Sequence, residues 1–250
     1  MRIAVCLKRV PDMEQRFKVL PDGSGVDSTG LKHDISDFDG YAVEVALQLA
    51  EKAGTGEVVV VSLGAAGVQE TLRKALGMGA TRAVQLEAAA VPADGSAVAA
   101  ALAAELKGGG YDLILLGRMA TDTGAGAVGP MLAHRLGLPC VTAVTKLDLV
   151  EGKGTARREL EGAVETVSFP LPAVLTIDEG IARARLPSLK GIMAAKKKPL
   201  DVRPAALGPV RLTVARMELP AERSGGRIVG EGPGAVPELV RLLQTEAKVL

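Results

Sequence analysis

The sequence predicts an α/β fold: a doubly wound, mostly parallel sheet of the Rossmann-like, adenine-nucleotide-binding type, followed by a C-terminal arm that docks on a partner. Apolar runs that end in glycine, such as 57–64 and 111–117, are typical of buried strands. Amphipathic segments of helical length separate these runs. Strands that alternate with helices favour parallel pairing through right-handed crossovers, and such sheets bind ligands at the carboxyl ends of their strands.

The first half of the chain shows this alternation most regularly. Residues 2–7 predict the first strand, and Pro-Asp-Gly and Ser-Gly mark the turn of a predicted hairpin at 17–30. A helix over 38–53 follows, with Ser36 or Asp37 as its N-cap. The later elements are strand 57–64, helix 68–78, strand 80–87, helix 96–106, strand 111–117 and a helix from Val128 to Leu136.

The second half is less regular. Residues 139–150 predict one longer strand. Three short runs with glycines between them, at 158–160, 164–169 and 173–177, predict antiparallel strands on the edge of the sheet.

Two domains of unequal size follow from this order. Residues 1–220 are assigned to one α/β nucleotide-binding domain. Residues 221–250 begin as a Gly/Pro-rich linker and end in a single amphipathic helix over 237–250. Because nothing nearby in the sequence packs on that helix, we expect it to dock on a partner.

Composition excludes several classes of function. Lys and Arg number 30 against 29 acidic residues, and aromatic residues make up 2% with no Trp, so binding to nucleic acid is not expected. No apolar run approaches the roughly 18 to 20 residues of a membrane span, and the run before Lys8 is too short for a signal peptide. We therefore expect a cytoplasmic protein with no membrane insertion. Cys6 and Cys140 are isolated and are predicted to be buried as small hydrophobic residues.

A glycine-rich loop joins strand 111–117 to the next helix. Gly124, Gly126 and Gly129 let a ligand approach the main chain closely, and the N–H groups that open the helix would face a phosphate. We interpret the loop as an anion-binding site. Its letters GAGAVG also satisfy the dinucleotide pattern G-x-G-x-x-G, but they come about seven residues after the strand instead of directly after it. A third interpretation is that the glycines only bend the loop.

Catalytic motifs are missing from the sequence. It contains no H-E-x-x-H, no G-x-S-x-G, no S-x-x-K and no P-loop Lys. His33 lies in a polar turn, and His134 is interpreted as a helix-surface or capping residue. Asp122 and Thr123 are candidates for a ribose or phosphate contact, or are turn residues only. The residues alone predict a nucleotide-binding protein that is not an enzyme.

Six segments carry a resemblance to a known family. They are KRVPD at 8–12, GLKHDISDFDGYAVEVAL at 30–47, QETLRKALGMGATRA at 69–83, DLILLGRMATDTGAGAVGP at 112–130, LPAVLT at 171–176 and RLPSLKGIMAAKKKP at 185–199. Across nearly its whole length the chain resembles the β subunits of electron transfer flavoproteins, including the FixA-type and bifurcating forms. The last segment is the most specific.

The resemblance implies a heterodimer with an α subunit. FAD would lie in the cleft between the subunits, held mainly by the α subunit, and the β subunit would carry AMP with no redox role. Bifurcating members place a second FAD where AMP lies and use NADH. By position, the resemblance implies a nucleotide pocket formed by Cys6, Ser36, Asp37, Phe38, Asp39, Leu63, Gly117, Asp122, Thr123, Gly124, Ala125, Gly126, Ala127 and Val128.

Three departures from the family pattern involve four positions. Ser36 stands where Asn is frequent. Ala127 and Val128 replace Gln or Thr side chains, so phosphate contacts would rely on backbone N–H groups. Met13 stands where some members place a Tyr against the flavin, which leaves Phe38 as the other candidate neighbour.

The resemblance also implies a recognition loop at residues 184–198, whose partner-binding side chains would be Leu186, Leu189, Ile192 and Met193. Pro187 breaks the preceding structure and Ser188 is placed to cap a short helix, which would leave Leu189 exposed, unless Leu189 folds back into its own helix turn.

The implied partners are acyl-CoA or related dehydrogenases of fatty acid oxidation, and an electron transfer flavoprotein–quinone oxidoreductase. The alternative is a free-standing adenine-nucleotide sensor or hydrolase, which would need neither this loop nor the arm.

Overall fold

The computed structural model of the protein describes residues 1–222 and 225–250. Its strands are β1 (Arg2–Cys6), β2 (Arg9–Pro11), β3 (His33–Ile35), β4 (Glu57–Gly64), β5 (Arg82–Glu87), β6 (Leu113–Gly117), β7 (Cys140–Val150), β8 (Lys153–Leu160), β9 (Ala163–Pro170), β10 (Ala173–Ile177) and β11 (Leu200–Pro204). Its helices are α1 (Asp37–Lys52), α2 (Val68–Met78), α3 (Gly95–Leu106), α4 (Val128–Leu136), α5 (Leu189–Ala195) and α6 (Val236–Leu242).

Within the described residues, one nine-stranded sheet has the order β11-β5-β4-β1-β6-β10-β7-β8-β9. The strands from β11 to β7 pair in parallel, and β8 and β9 continue the sheet in antiparallel pairs. β4 and β5 lie on one side of β1 in the sheet, and β6, which comes later in the chain, lies on its other side. The predicted doubly wound, mostly parallel sheet is confirmed. The order in which strands are added to it reverses between β1 and β6.

Each face of the sheet has its own hydrophobic core. Ile3 and Val5 of β1 pack in the cluster that includes residues of α1 and α2, whereas Ala4 and Cys6 pack in the cluster that includes residues of α3 and α4. Successive side chains of a strand point to opposite faces, so both faces of β1 are covered. All of these strand residues are at most 4% exposed.

The placement of residues 173–177 differs from the prediction. The run forms β10, which pairs in parallel between β6 and β7 and is buried at all five positions. A strand covered on both faces shows no alternation of polar and apolar residues, so its sequence alone does not separate a central strand from an edge strand. The other two runs lie in β8 and β9, which pair antiparallel along their full lengths at the edge, as predicted.

Two smaller expectations are also corrected, and one strand pair was not predicted. The predicted hairpin at 17–30 contains a single bridge between Val19 and Val26. The antiparallel pair beside it joins β2 to β3, which no turn signal indicated. Cys6 is buried, as predicted, but Cys140 is exposed at the start of β7.

The C-terminal segment is less helical than predicted. In place of one helix over 237–250, a 3-10 turn at Pro233–Ala235 leads into α6, and a π-helical turn at Leu243–Ala247 follows. Prolines fit the first turn of a helix, and here they mark where these short pieces begin. Arg223 and Ser224 of the predicted linker lie outside the described residues. No helix within residues 1–222 or 225–250 combines the length and apolar character that crossing a membrane requires.

Candidate functional site

The carboxyl ends of β1, β4 and β6 lie together where the strand order reverses. Cys6, Leu63 and Gly117 lie at these three ends and are buried. The structure therefore brings together three of the residues that the sequence assigned to a nucleotide pocket. In open α/β sheets, ligands usually bind beside the carboxyl ends of the strands at the point where the strand order reverses. We call this region, with the start of α1 and the loop 118–127, the switch-point site.

Asp39 joins the parts of the switch-point site through its carboxylate. Oδ2 accepts a hydrogen bond from the backbone N–H of Lys8 at 2.7 Å, and Oδ1 accepts one from the backbone N–H of Gly117 at 2.8 Å. The side chain is buried, and burial raises its pKa to about 7, although the two N–H donors act in the opposite direction. Asp39 thus ties the first turn of α1 to the ends of β1 and β6.

Gly117 leaves no room for a side chain. A Cβ atom at this position would lie 2.6 Å from the backbone nitrogen of Asp39 and 2.7 Å from the carbonyl carbon of Phe38. Backbone atoms of α1 therefore rest directly against the end of β6.

Ser36 has a different role from the predicted helix cap. It occupies the N-cap position of α1, but its side chain makes no capping hydrogen bond. Its Oγ instead accepts a hydrogen bond from the backbone N–H of Thr121 at 3.2 Å, and its own N–H donates to the carbonyl of Lys8 at 3.1 Å. Ser36 is fully buried and links the helix start to the glycine-rich loop.

The two residues after Ser36 are less enclosed. Asp37 is exposed. Phe38 is half-buried and meets Tyr41 edge to face, with ring centroids 6.1 Å apart.

The glycine-rich loop presents unused backbone donors. The N–H groups of Thr123 and Gly124 donate to the carbonyl of Ala120. The next five N–H groups, from Ala125 to Gly129, have no hydrogen-bond acceptor among the described residues. Gly124 and Gly126 adopt φ values of +63° and +60°, in the left-handed region that favours glycine. A run of free donors at the start of α4 fits a phosphate, so the loop suits a nucleotide without help from side chains at Ala127 and Val128.

Charged residues border this loop. Lys8 Nζ pairs with the carboxylate of Asp122 at 2.7 Å, which ties the segment after β1 to the loop. Arg118 Nη1 pairs with Asp178 Oδ2 at 3.0 Å across the ends of β6 and β10. Thr123 is exposed, and among residues 1–222 and 225–250 it forms only the backbone bond described above. Across the described ranges, no group of three or more His, Cys, Asp or Glu side chains is arranged to hold a metal ion.

Sequence reasoning missed the contribution of Lys8 and Arg118 to the switch-point site. Arg118 follows β6 directly and Lys8 is the second residue after β1, and these positions were the available signal, because residues just after parallel strands line the ligand edge of the sheet. Their partners, Asp122 and Asp178, are distant in sequence, so the ion pairs themselves carried no local pattern.

The recognition loop presents an apolar surface to solvent. Ser188 Oγ accepts a hydrogen bond from the N–H of Gly191 at 3.0 Å, which confirms the predicted cap of α5. Leu189 is 84% exposed, so the interpretation that it folds into its own helix turn is wrong. Leu186, Ile192 and Met193 are exposed beside it. The four predicted partner-binding side chains are therefore all available for contact.

Comparison with known proteins assigns the chain to a family. Residues 25–207 match the family model described as the electron transfer flavoprotein domain. The chain is 36% identical over 260 residues to the electron transfer flavoprotein subunit beta of Bacillus subtilis, and the alignment covers 100% of each chain. It is 38% identical over 233 residues to the human protein of that name, with 90% of this chain and 91% of the human chain covered. This protein therefore belongs to the β-subunit family of the electron transfer flavoproteins.

Proposed function

We propose that the chain binds AMP in the switch-point site, completes an FAD site together with an electron transfer flavoprotein α subunit, and acts in the cytoplasm. Members of this family carry electrons and are not enzymes, and a β subunit implies an α partner. In the proposed complex the FAD transfers electrons, whereas the AMP has a structural role. The electrons come from acyl-CoA or related dehydrogenases and pass to a quinone oxidoreductase.

The run of free N–H groups from Ala125 to Gly129 is the observation that carries the AMP assignment. These donors lie at the carboxyl edge of the sheet, where Cys6 and Leu63 close the apolar side of the same region. A nucleotide with one phosphate needs an anion-binding loop, and the free donors of the switch-point site fit that requirement.

Exposed apolar side chains support the proposed α-subunit contact. Residues 205–222 contain no helix or strand. The backbone N–H groups of Gly208, Arg211 and Met217 donate hydrogen bonds to the rest of the domain. Leu212, Leu219 and other large apolar residues of the C-terminal segment remain exposed. Exposed apolar surface of this kind marks a protein interface. FAD would then be held between the two subunits, with Phe38 as the candidate contact from this chain.

Co-expression with an α subunit tests the proposal. The purified complex should release one FAD and one AMP per heterodimer when it is denatured and the nucleotides are identified by mass spectrometry. Two FAD and no AMP would indicate the bifurcating type, which uses NADH. A single chain that purified as a yellow monomer with stoichiometric FAD would contradict the proposal.

Leu189→Ala should weaken electron transfer from the partner dehydrogenase. Burial of one leucine contributes about 1.5 to 3 kcal/mol, which corresponds to a 10- to 150-fold change in affinity. We therefore expect a higher KM for the carrier in dehydrogenase-dependent flavin reduction, with FAD content, AMP content and melting temperature unchanged. Leu160→Ala is the matched control, since Leu160 is also exposed but lies at the end of β8. An unchanged KM in the Leu189 variant would remove Leu189 from the docking surface.

A further inference from the structure

The recognition loop is attached to the domain at its N-terminal end by Arg185. The guanidinium donates to both carboxylate oxygens of Glu44, at 2.8 and 2.9 Å, and to Glu51 at 2.6 Å. Burial alone would raise the pKa of Glu44, but the hydrogen bonds from Arg185 and Gln48 hold this pKa below its usual range. A bidentate pair with a buried carboxylate is the stronger kind of ion pair. Residues 184–186 are therefore fixed on the surface of α1.

The C-terminal end of the recognition loop is attached to α2 by hydrogen bonds from two cationic side chains to backbone carbonyls. Arg73 of α2 donates from Nη1 to the carbonyls of Ala195 and Lys198, at 2.6 and 2.7 Å. Lys198 in turn donates from Nζ to the carbonyls of Leu76 and Ala80, at 2.9 and 2.6 Å. The last carbonyls of a helix have no partner within the helix; here Arg73 of α2 donates to the end of α5, and Lys198, three residues after α5, donates to the end of α2.

The helix between these attachments lies directly on α2. A Cβ atom added to Gly191 would lie 2.3 Å from the carbonyl oxygen of Gly77, and one added to Gly77 would lie 3.1 Å from Cβ of Pro187. The two backbones therefore touch with no side chain between them. The opposite side of α5 carries the exposed Leu189 and Met193.

We propose that Arg73 and Lys198 are positioning residues that hold α5 in a preformed orientation, so that the exposed leucine and its neighbours meet the dehydrogenase without first having to fold. This proposal rests on the proposed function of the recognition loop. The need for positioning residues follows from the length of α5. The helix has seven residues, and an isolated helix of that length is not stable in water. Contacts outside the helix must therefore supply its order. A docking surface that is already ordered loses less entropy on binding.

Arg73→Gln in the complete αβ heterodimer tests the proposal, with hydrogen exchange of the backbone amides in 191–195 and steady-state dehydrogenase kinetics as the two measurements. Removing two charge-assisted hydrogen bonds should accelerate exchange in α5 at least about tenfold. The KM for the carrier should rise by a similar factor while kcat changes little. Lys198→Met, which keeps the apolar stem and removes the ammonium, should have the same effect. Arg73→Lys should restore part of both properties, because one ammonium reaches the same carbonyls with poorer geometry.

Two controls separate this proposal from the proposed function. Arg203→Gln removes a half-exposed arginine of β11 whose partners are Glu105 of α3 and Asp201, and should change neither measurement. Leu189→Ala should raise KM without changing exchange in α5. Normal exchange in the Arg73 and Lys198 variants, or faster exchange with an unchanged KM, would overturn the positioning role. An unchanged KM in Leu189→Ala would instead overturn the proposed function of the loop.

Discussion

Gly117→Ala should lower the free energy of unfolding by about 3 kcal/mol or more and abolish nucleotide binding. Overpacking usually costs about 1 to 3 kcal/mol, and the cost is higher where the obstructing atoms cannot move aside. The added methyl group would meet the backbone of Phe38 and Asp39, so α1 and β6 would have to separate. That separation would break the hydrogen bond from Gly117 to Asp39 and displace the loop that follows β6.

Thermal unfolding and nucleotide content check this expectation. For a chain of this size, a loss of 3 kcal/mol corresponds to a fall in melting temperature of roughly 6 to 12 °C. Gly124→Ala, in the loop that follows β6, is the matched control for the thermal measurement. No atom lies within 4 Å of a Cβ built on Gly124, and only the strain of its positive φ remains, at about 1 kcal/mol. Equal falls in melting temperature in the two variants would show that crowding at Gly117 is not the cause of the lost stability.

Asp39→Ala should be the second most damaging change. It leaves the buried N–H groups of Lys8 and Gly117 without an acceptor, and each unpaired donor costs about 1 to 3 kcal/mol. We expect a loss of about 2 to 4 kcal/mol at pH 5, together with loss of AMP. Asp37→Ala is the control, because Asp37 occupies the same helix turn but is exposed. It should cost at most about 1 kcal/mol from the helix dipole.

The loss caused by Asp39→Ala should become smaller as pH rises. The pKa of Asp39 is about 7 in the folded chain, compared with 3.8 for an unperturbed carboxyl. Between these values the folded state holds a proton that the unfolded state has released, so raising the pH reduces this contribution to stability. Denaturant unfolding of both proteins at pH 5 and pH 8 measures the difference directly. A difference that stayed constant or grew with pH would show that the pKa of Asp39 is not raised.

Local patterns predict the glycines of the switch-point site, whereas Cys6, Ser36, Asp39 and Leu63 were assigned to the nucleotide pocket by the family resemblance. Gly117 was predicted because it ends an apolar run, and Gly124 and Gly126 because glycine in a loop before a helix permits close approach to the backbone. These signals come from residues adjacent in sequence. The same is true of Ser188, whose spacing before α5 predicted its capping bond to Gly191.

Long-range pairings were not predictable in the same way. The two bonds of Asp39 join residues that are 31 and 78 positions away, and the bonds of Arg73 reach 122 and 125 positions along the chain. Ser36 was predicted as a cap because Ser is favoured there, yet its Oγ bonds to the loop instead. In each case the deciding partner is brought close by the order of the strands, which the local sequence does not specify.

The central position of β10 determines when the two halves of the sheet can join during synthesis. β6 ends at Gly117 and β7 begins at Cys140, but the strand that fills the space between them begins only at Ala173. Until that strand leaves the ribosome, β6 has one open edge and β7 lacks its parallel neighbour. Parallel pairing between segments far apart in sequence forms slowly and leaves apolar strands exposed in the meantime. For this chain, the earliest point at which the two halves of the sheet can join lies more than two thirds of the way along the polypeptide.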